Sequence, residues 1–238
     1  MKNLLKYEWY RLLYSYTLIY ACLICFPLAC ITTFVIAGAP QSPAIYGLAF
    51  EFFIPQFLVL VIPIVFIADE QHRGSIKTQL LSGEKRYKIF FAKTLVYYFA
   101  LFIVFIVYLL IISLMNAKGL GVKIFHNENT FVYFLRCASV GFAYCFMLST
   151  ILLFISVFLK KPILTAISDI ILFLMEFLLK GVIDWRIADK IVPSLMIEQL
   201  IAQTSEVSII AVFTSLIIFV SFICYILSLI IFCKQTYK

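Results

Sequence analysis

The sequence predicts an all-α integral membrane protein with six transmembrane helices, and three observations carry that prediction. The chain of 238 residues is 64% hydrophobic and 13% charged, with a mean hydropathy of +1.08. Those values lie far from the composition of a soluble domain. Six apolar runs, at about 15–37, 48–68, 89–115, 131–159, 162–180 and 207–233, are each long enough to cross a hydrocarbon core of about 30 Å as a helix. The third observation is sidedness. An even number of spans places both termini together, and putting them inside, with the loops after spans two and four, gathers thirteen of the nineteen Lys and Arg residues against four acids. That face carries +9 and the rest of the chain −2. The positive-inside rule then predicts a multi-pass cell-membrane protein with both termini cytoplasmic, and a bacterial one is expected. The net +7 is then a record of orientation, and no nucleic-acid partner is needed to explain it.

Residues 1–14 are predicted to lie along the inner surface. Leu5, Trp9, Leu12, Leu13 and Tyr16 recur at helical spacing, with Lys2, Lys6 and Arg11 on other faces. Tyr7, Trp9, Tyr10 and Tyr14 suit the headgroup zone, where a ring can keep its polar tip wet. The first span ends at Ala37-Gly38-Ala39, which resembles a signal-peptidase site. The apolar run before it is about twenty residues, longer than the 7 to 15 of a signal core, so the segment is expected to be retained. The second span holds Pro55 and Pro63, each of which removes a backbone donor and favours a kink.

A polar loop, 69–88, follows the second span inside the stretch ADEQHRGSIKTQLLSGEKRYKIFFAK. Ser75 can cap a short helix and Gly83 can end it in the left-handed conformation. Ile76, Leu80 and Leu81 form its apolar stripe, and a helix so short needs a protein surface to pack on. The third span is aromatic, and Lys93 near its start is expected to snorkel back to the inner surface. A short outer loop, 116–130, leads to span four, and Lys160-Lys161-Pro162 makes a tight inner turn to span five. The segment 181–206 is too apolar for a loop and too charged for a span, and Pro193 interrupts its helical spacing. One or two short helices are expected there, re-entrant or packed over the outer mouth, since irregular backbone at membrane depth must face protein or water. The whole chain, 1–238, reads as a single transmembrane domain. The seven cysteines, including the Cys22-x-x-Cys25 pair, fall in or beside spans and are read as small apolar fillers without metal.

The order Glu70, Gly74-Ser75-Ile76-Lys77, Leu80-Leu81-Ser82, Arg86 and Lys93 resembles the segment after the second span of type 2 ABC-transporter permeases. A Pro common before the Arg in that family is replaced here by Gly83-Glu84-Lys85. The resemblance implies that the short helix is a coupling helix seated in a separate ATPase subunit. Glu70, Arg73, Ser75 and Lys77 would then supply polar and rim contacts, and Ile76, Leu80 and Leu81 the apolar anchor. It further implies two ATPase copies, a second permease copy as homodimer or related heterodimer, and ATP with Mg bound by the ATPase. No Gly-x-x-x-x-Gly-Lys-Ser/Thr phosphate loop occurs in the chain, so it is expected to be a transport subunit with no cofactor and no catalysis of its own.

Three acids fall within or beside spans. Asp169 and Glu176 lie seven apart in span five and share a helix face. An ionised acid at bilayer centre costs about 2.5 to 3.5 kcal/mol, which favours facing protein or water. Glu51 lies at a depth similar to that of Arg136, and a structural pair between them is the favoured reading; Asp169 is read as a path residue or a buried structural partner, and all three acids are candidates for a substrate path. The cargo that suits aromatic spans with few polar groups is amphipathic or hydrophobic. Small permeases of this layout resemble exporters of antimicrobial or cytolytic peptides, including lantibiotic-immunity systems. Drug or lipid-linked cargo is the alternative. An intramembrane enzyme using Asp169 and Glu176 is the reading from another class, set against the absence of His from the predicted spans.

Overall fold

The computed structural model describes residues 2–14, 16–37, 75–81, 83–118, 128–182 and 207–234. Within them the chain is helical, with no strand among the described residues. The helices are α1 (Lys2–Tyr14), α2 (Thr17–Ala37), α3 (Ser75–Leu81), α4 (Arg86–Lys118), α5 (Glu128–Leu159), α6 (Pro162–Val182) and α7 (Val207–Lys234). The expected second span, 48–68, lies outside the described residues, as do 69–74 and 183–206.

Stretches within α4, α5 and α7 are long and apolar enough to cross a membrane: Arg86–Ile111, Ala138–Leu159 and Val212–Lys234. A fourth crossing follows if Asn3–Tyr14 and Leu18–Pro27 form one span, but these two pieces are bent by 48°. The bend has a local cause. Tyr16 takes a left-handed φ of 55° and its N–H donates to the Leu13 carbonyl, so α1 stops and the chain turns before α2 begins. In α6 the described stretch Pro162–Leu172 is apolar but shorter.

The other breaks also follow from residues. Gly83, at φ 84°, donates its N–H to the Leu80 carbonyl at 3.1 Å and closes α3 as the sequence predicts. Lys85 then starts α4, its carbonyl accepting from the N–H groups of Lys88 and Ile89. Lys160 takes a φ of 58° between α5 and α6, and Thr165 donates both its N–H and its hydroxyl to the Lys161 carbonyl, fixing the first turn of α6.

Helix α4 is the hub, in contact with α1, α2, α5 and α7, while α5 packs along α7 and carries α6. Its buried stripe includes Ile89, Val96, Tyr97, Ala100, Val104 and Tyr108. Phe90 sits between Tyr225 and Phe232 of α7, ring centres 5.6 and 5.2 Å away. In lipid such close packing, rather than transfer from water, holds helices together. Most described span hydroxyls bond back to their own helix, as Ser149, Thr150, Ser156, Ser168, Ser215 and Ser228 do, which removes their polarity from the interfaces.

Candidate functional site

At the end of the bundle where α3 lies, three helices each turn one polar residue inward along an apolar stripe. On α1 the stripe is Leu5, Glu8 and Leu12, on α3 it is Ile76 and Gln79, and on α4 it is Ile89, Lys93 and Tyr97. The three polar side chains meet. Glu8 Oε1 accepts from Gln79 Nε2 at 2.7 Å and from Lys93 Nζ at 2.7 Å, and Glu8 Oε2 accepts from Arg11 Nη1 at 3.1 Å. Glu8 is fully buried, Lys93 nearly so, and Arg11 lies toward the rim.

A buried carboxylate is tolerated only when its charge is compensated and its lone pairs are used. Glu8 meets both conditions through donors from its own helix, from α3 and from α4. The lysine does not snorkel to the surface as the sequence suggested. Glu8 lies close enough to hold the ammonium inside, and the charge-assisted bond outweighs the pull of the headgroup region. Trp9 completes the junction from the side, its ring edge-on to Phe99 of α4 at 5.2 Å between centres.

This cluster changes how α3 is seated. Ile76 is 1% exposed and packs within the chain's own core, Leu80 is half-buried against it, and Leu81 is 85% exposed. The predicted stripe Ile76, Leu80 and Leu81 is therefore divided between two surfaces, with Ile76 and Gln79 facing the bundle and Leu81 facing away. Ser75 and Lys77 lie in the helix, their side chains outside the described set, and Glu70 and Arg73 are likewise outside the described residues.

Asp169 lies on α6, with Thr165 one turn before it on the same buried face. Ile163, Ile167, Ile170, Ile171 and Leu174 cover the outward face, so α6 turns Thr165 and Asp169 toward the bundle and this hydrocarbon away. Asp169 is 1% exposed, and among the described residues no hydrogen-bond donor reaches either carboxylate oxygen. Tyr97 of α4 is within electrostatic reach, yet its hydroxyl donates to the Ser149 carbonyl. Glu176 sits two turns further along α6 with its side chain outside the described set, as is that of Arg136 on α5, and Glu51 lies outside the described residues.

Sequence reading missed Glu8 and Gln79. The signal was present in the spacing, because an acid between Leu5 and Leu12 on an apolar face calls for a buried partner. Among the described residues no cluster of His, Cys, Asp and Glu has metal-ligand geometry. Cys25 donates its thiol to the Ala21 carbonyl as a packed helix residue. In comparisons with family models, curated proteins and solved structures, nothing matches the chain.

Proposed function

We propose that the chain is the transmembrane subunit of an ATP-driven exporter of the type 2 ABC permease kind. It has six spans with both termini cytoplasmic, and acts with a second permease copy and two copies of a separate ATPase that binds ATP and Mg. The observation that carries this reading is the Glu8 junction: a short helix bonded through Gln79 to buried Glu8 of α1, which also pairs with Lys93 of α4, with Leu81 projecting from the short helix.

An ATPase that closes on nucleotide delivers its force at a surface, and spans respond only if the contact is rigid. Gln79 ties α3 to Glu8, and Glu8 ties α1 to Lys93. A push on α3 therefore moves the start of α4 and the surface helix together. Leu81 is the apolar knob for the ATPase cleft, with Leu80 at its edge, while Glu70, Arg73, Ser75 and Lys77 supply polar contacts around it. Ile76 holds the helix from behind.

The cargo that fits is amphipathic or hydrophobic, with an antimicrobial or cytolytic peptide as the leading class. Asp169 is the path residue that best fits a cationic cargo, with Glu176 and Glu51 as further candidates. A buried acid with no donor is costly to keep, which favours a role outside this packing. The docking test is copurification of permease and ATPase. Leu81→Asp is expected to release the ATPase while the permease remains monodisperse, and a complex retained at wild-type level removes α3 as the docking element.

A further inference from the structure

Between α4, α5 and α7 a cavity of about 450 Å³ opens sideways, on a different face of α4 from the Glu8 junction. Phe91, Leu95 and Tyr98 of α4 form one wall, Ile218 and Phe222 of α7 the other, and Phe146 of α5 the floor. Phe91, Leu95, Ile218 and Phe222 are each at least two-fifths exposed, so the mouth faces whatever surrounds the bundle. The hydroxyls of Tyr98 and Ser221 are covered by neighbouring atoms, and the surface offered to an occupant is hydrocarbon. From Ile217 to Tyr225 the groove runs about 12 Å along α7, at 1.5 Å per residue.

Below the mouth the chemistry changes sign. Lys88 lies about one turn before Phe91 and two before Leu95 on the same stripe of α4, and Lys85 sits just ahead of the helix start. Neither lysine has an acidic partner among the described residues. Arg86 beside them donates to the Cys233 carbonyl, which joins the start of α4 to the end of α7 directly under the groove. Glu84 is the single acid in 84–88. A hydrocarbon groove at membrane depth ending in a basic cluster at helix ends matches one kind of molecule in a bilayer.

We propose that this groove is a binding site for an anionic phospholipid, with one acyl chain between Phe91, Leu95, Ile218 and Phe222 and the phosphate at Lys85 and Lys88. The fit combines an apolar slot of ligand size with juxtamembrane cations of the type that select acidic headgroups. A peptide cargo would bring cations of its own, which these lysines would repel.

The test uses the full chain in nanodiscs with phosphatidylglycerol that carries a photoreactive diazirine on one acyl chain, and with the phosphatidylcholine equivalent. Crosslinks from phosphatidylglycerol are expected to concentrate on peptides containing Phe91, Leu95 and Phe222, and to exceed those from phosphatidylcholine. Lys85→Gln with Lys88→Gln, both at the surface end of α4, is expected to lower the preference by about fivefold per lysine. Leu95→Trp, which fills the slot, is expected to remove crosslinking of both lipids there. Equal labelling by the two lipids, labelling spread evenly around the outward faces of α4, α6 and α7, or a double-lysine variant that keeps the preference would each overturn the site.

Discussion

Glu8 and Asp169 are both buried acids in a chain with few charges, yet their surroundings are opposite. Glu8 is met by three donors from three helices, whereas among the described residues neither oxygen of Asp169 receives one. Burial alone therefore does not tell what an acid does. A compensated acid is part of how the structure is held, and its removal strands its partner. An uncompensated acid adds nothing to this packing, so its presence calls for another explanation. The contrast divides the protein into a junction built for rigidity and a helix face available for change.

The largest effect is expected at the junction. Glu8→Ala leaves the Lys93 ammonium buried without its counter-charge, and breaking a buried pair by removing one partner costs about 3 to 5 kcal/mol. The thermal midpoint in detergent should drop sharply, or folded protein should be lost. Glu8→Leu combined with Lys93→Met removes both charges and should recover much of that loss, since an apolar replacement of similar volume is often neutral or better. A single variant as stable as wild type would mean that the pair does not contribute, and the rigid-junction argument would fall with it.

A milder change separates stability from coupling. Glu8→Gln retains a carbonyl acceptor for Gln79 or Lys93 but removes the charge that strengthens both bonds, for an expected loss of about 1 to 2 kcal/mol. The complex should still assemble, because Leu81 is untouched. ATP hydrolysis should continue while cargo export falls, and the readout is the ratio of cargo moved to ATP consumed in proteoliposomes. An unchanged ratio would limit Glu8 to a folding role.

How much of this was legible in the sequence depends on whether the cause was local. Gly83 ends α3 because only a residue free to take positive φ fits there, and the Lys160-Lys161-Pro162 turn is set by its own chemistry, so both could be read from a few neighbouring residues. The positions of α4, α5 and α7 followed from long apolar runs, and their bounds lie within a few residues of the predicted spans. Lys93 was read as snorkelling because its partner lies 85 residues earlier, beyond any periodic pattern. Likewise, the division of Ile76 from Leu81 depends on α1 lying behind α3, which no feature of the loop reveals. Asp169 could be picked out as an acid in an apolar run, but its lack of donors depends on the positions of α4 and α5.

The smallest effect on stability is expected at Asp169, and there the comparison is sharpest. Asp169→Leu removes a buried polar group with no hydrogen bond to lose, so the fold should hold or gain about 1 kcal/mol. Asp169→Asn should likewise leave the thermal midpoint close to wild type. If the acid serves cargo, both variants should lower export while the permease and ATPase still copurify, and the loss should be greater for a cationic peptide than for a neutral amphiphile, because only the former loses a counter-charge. Should Asp169→Leu instead destabilise the protein as Glu8→Ala does, the acid would have a structural partner, and the division between a rigid junction and an adaptable helix face would no longer describe the molecule.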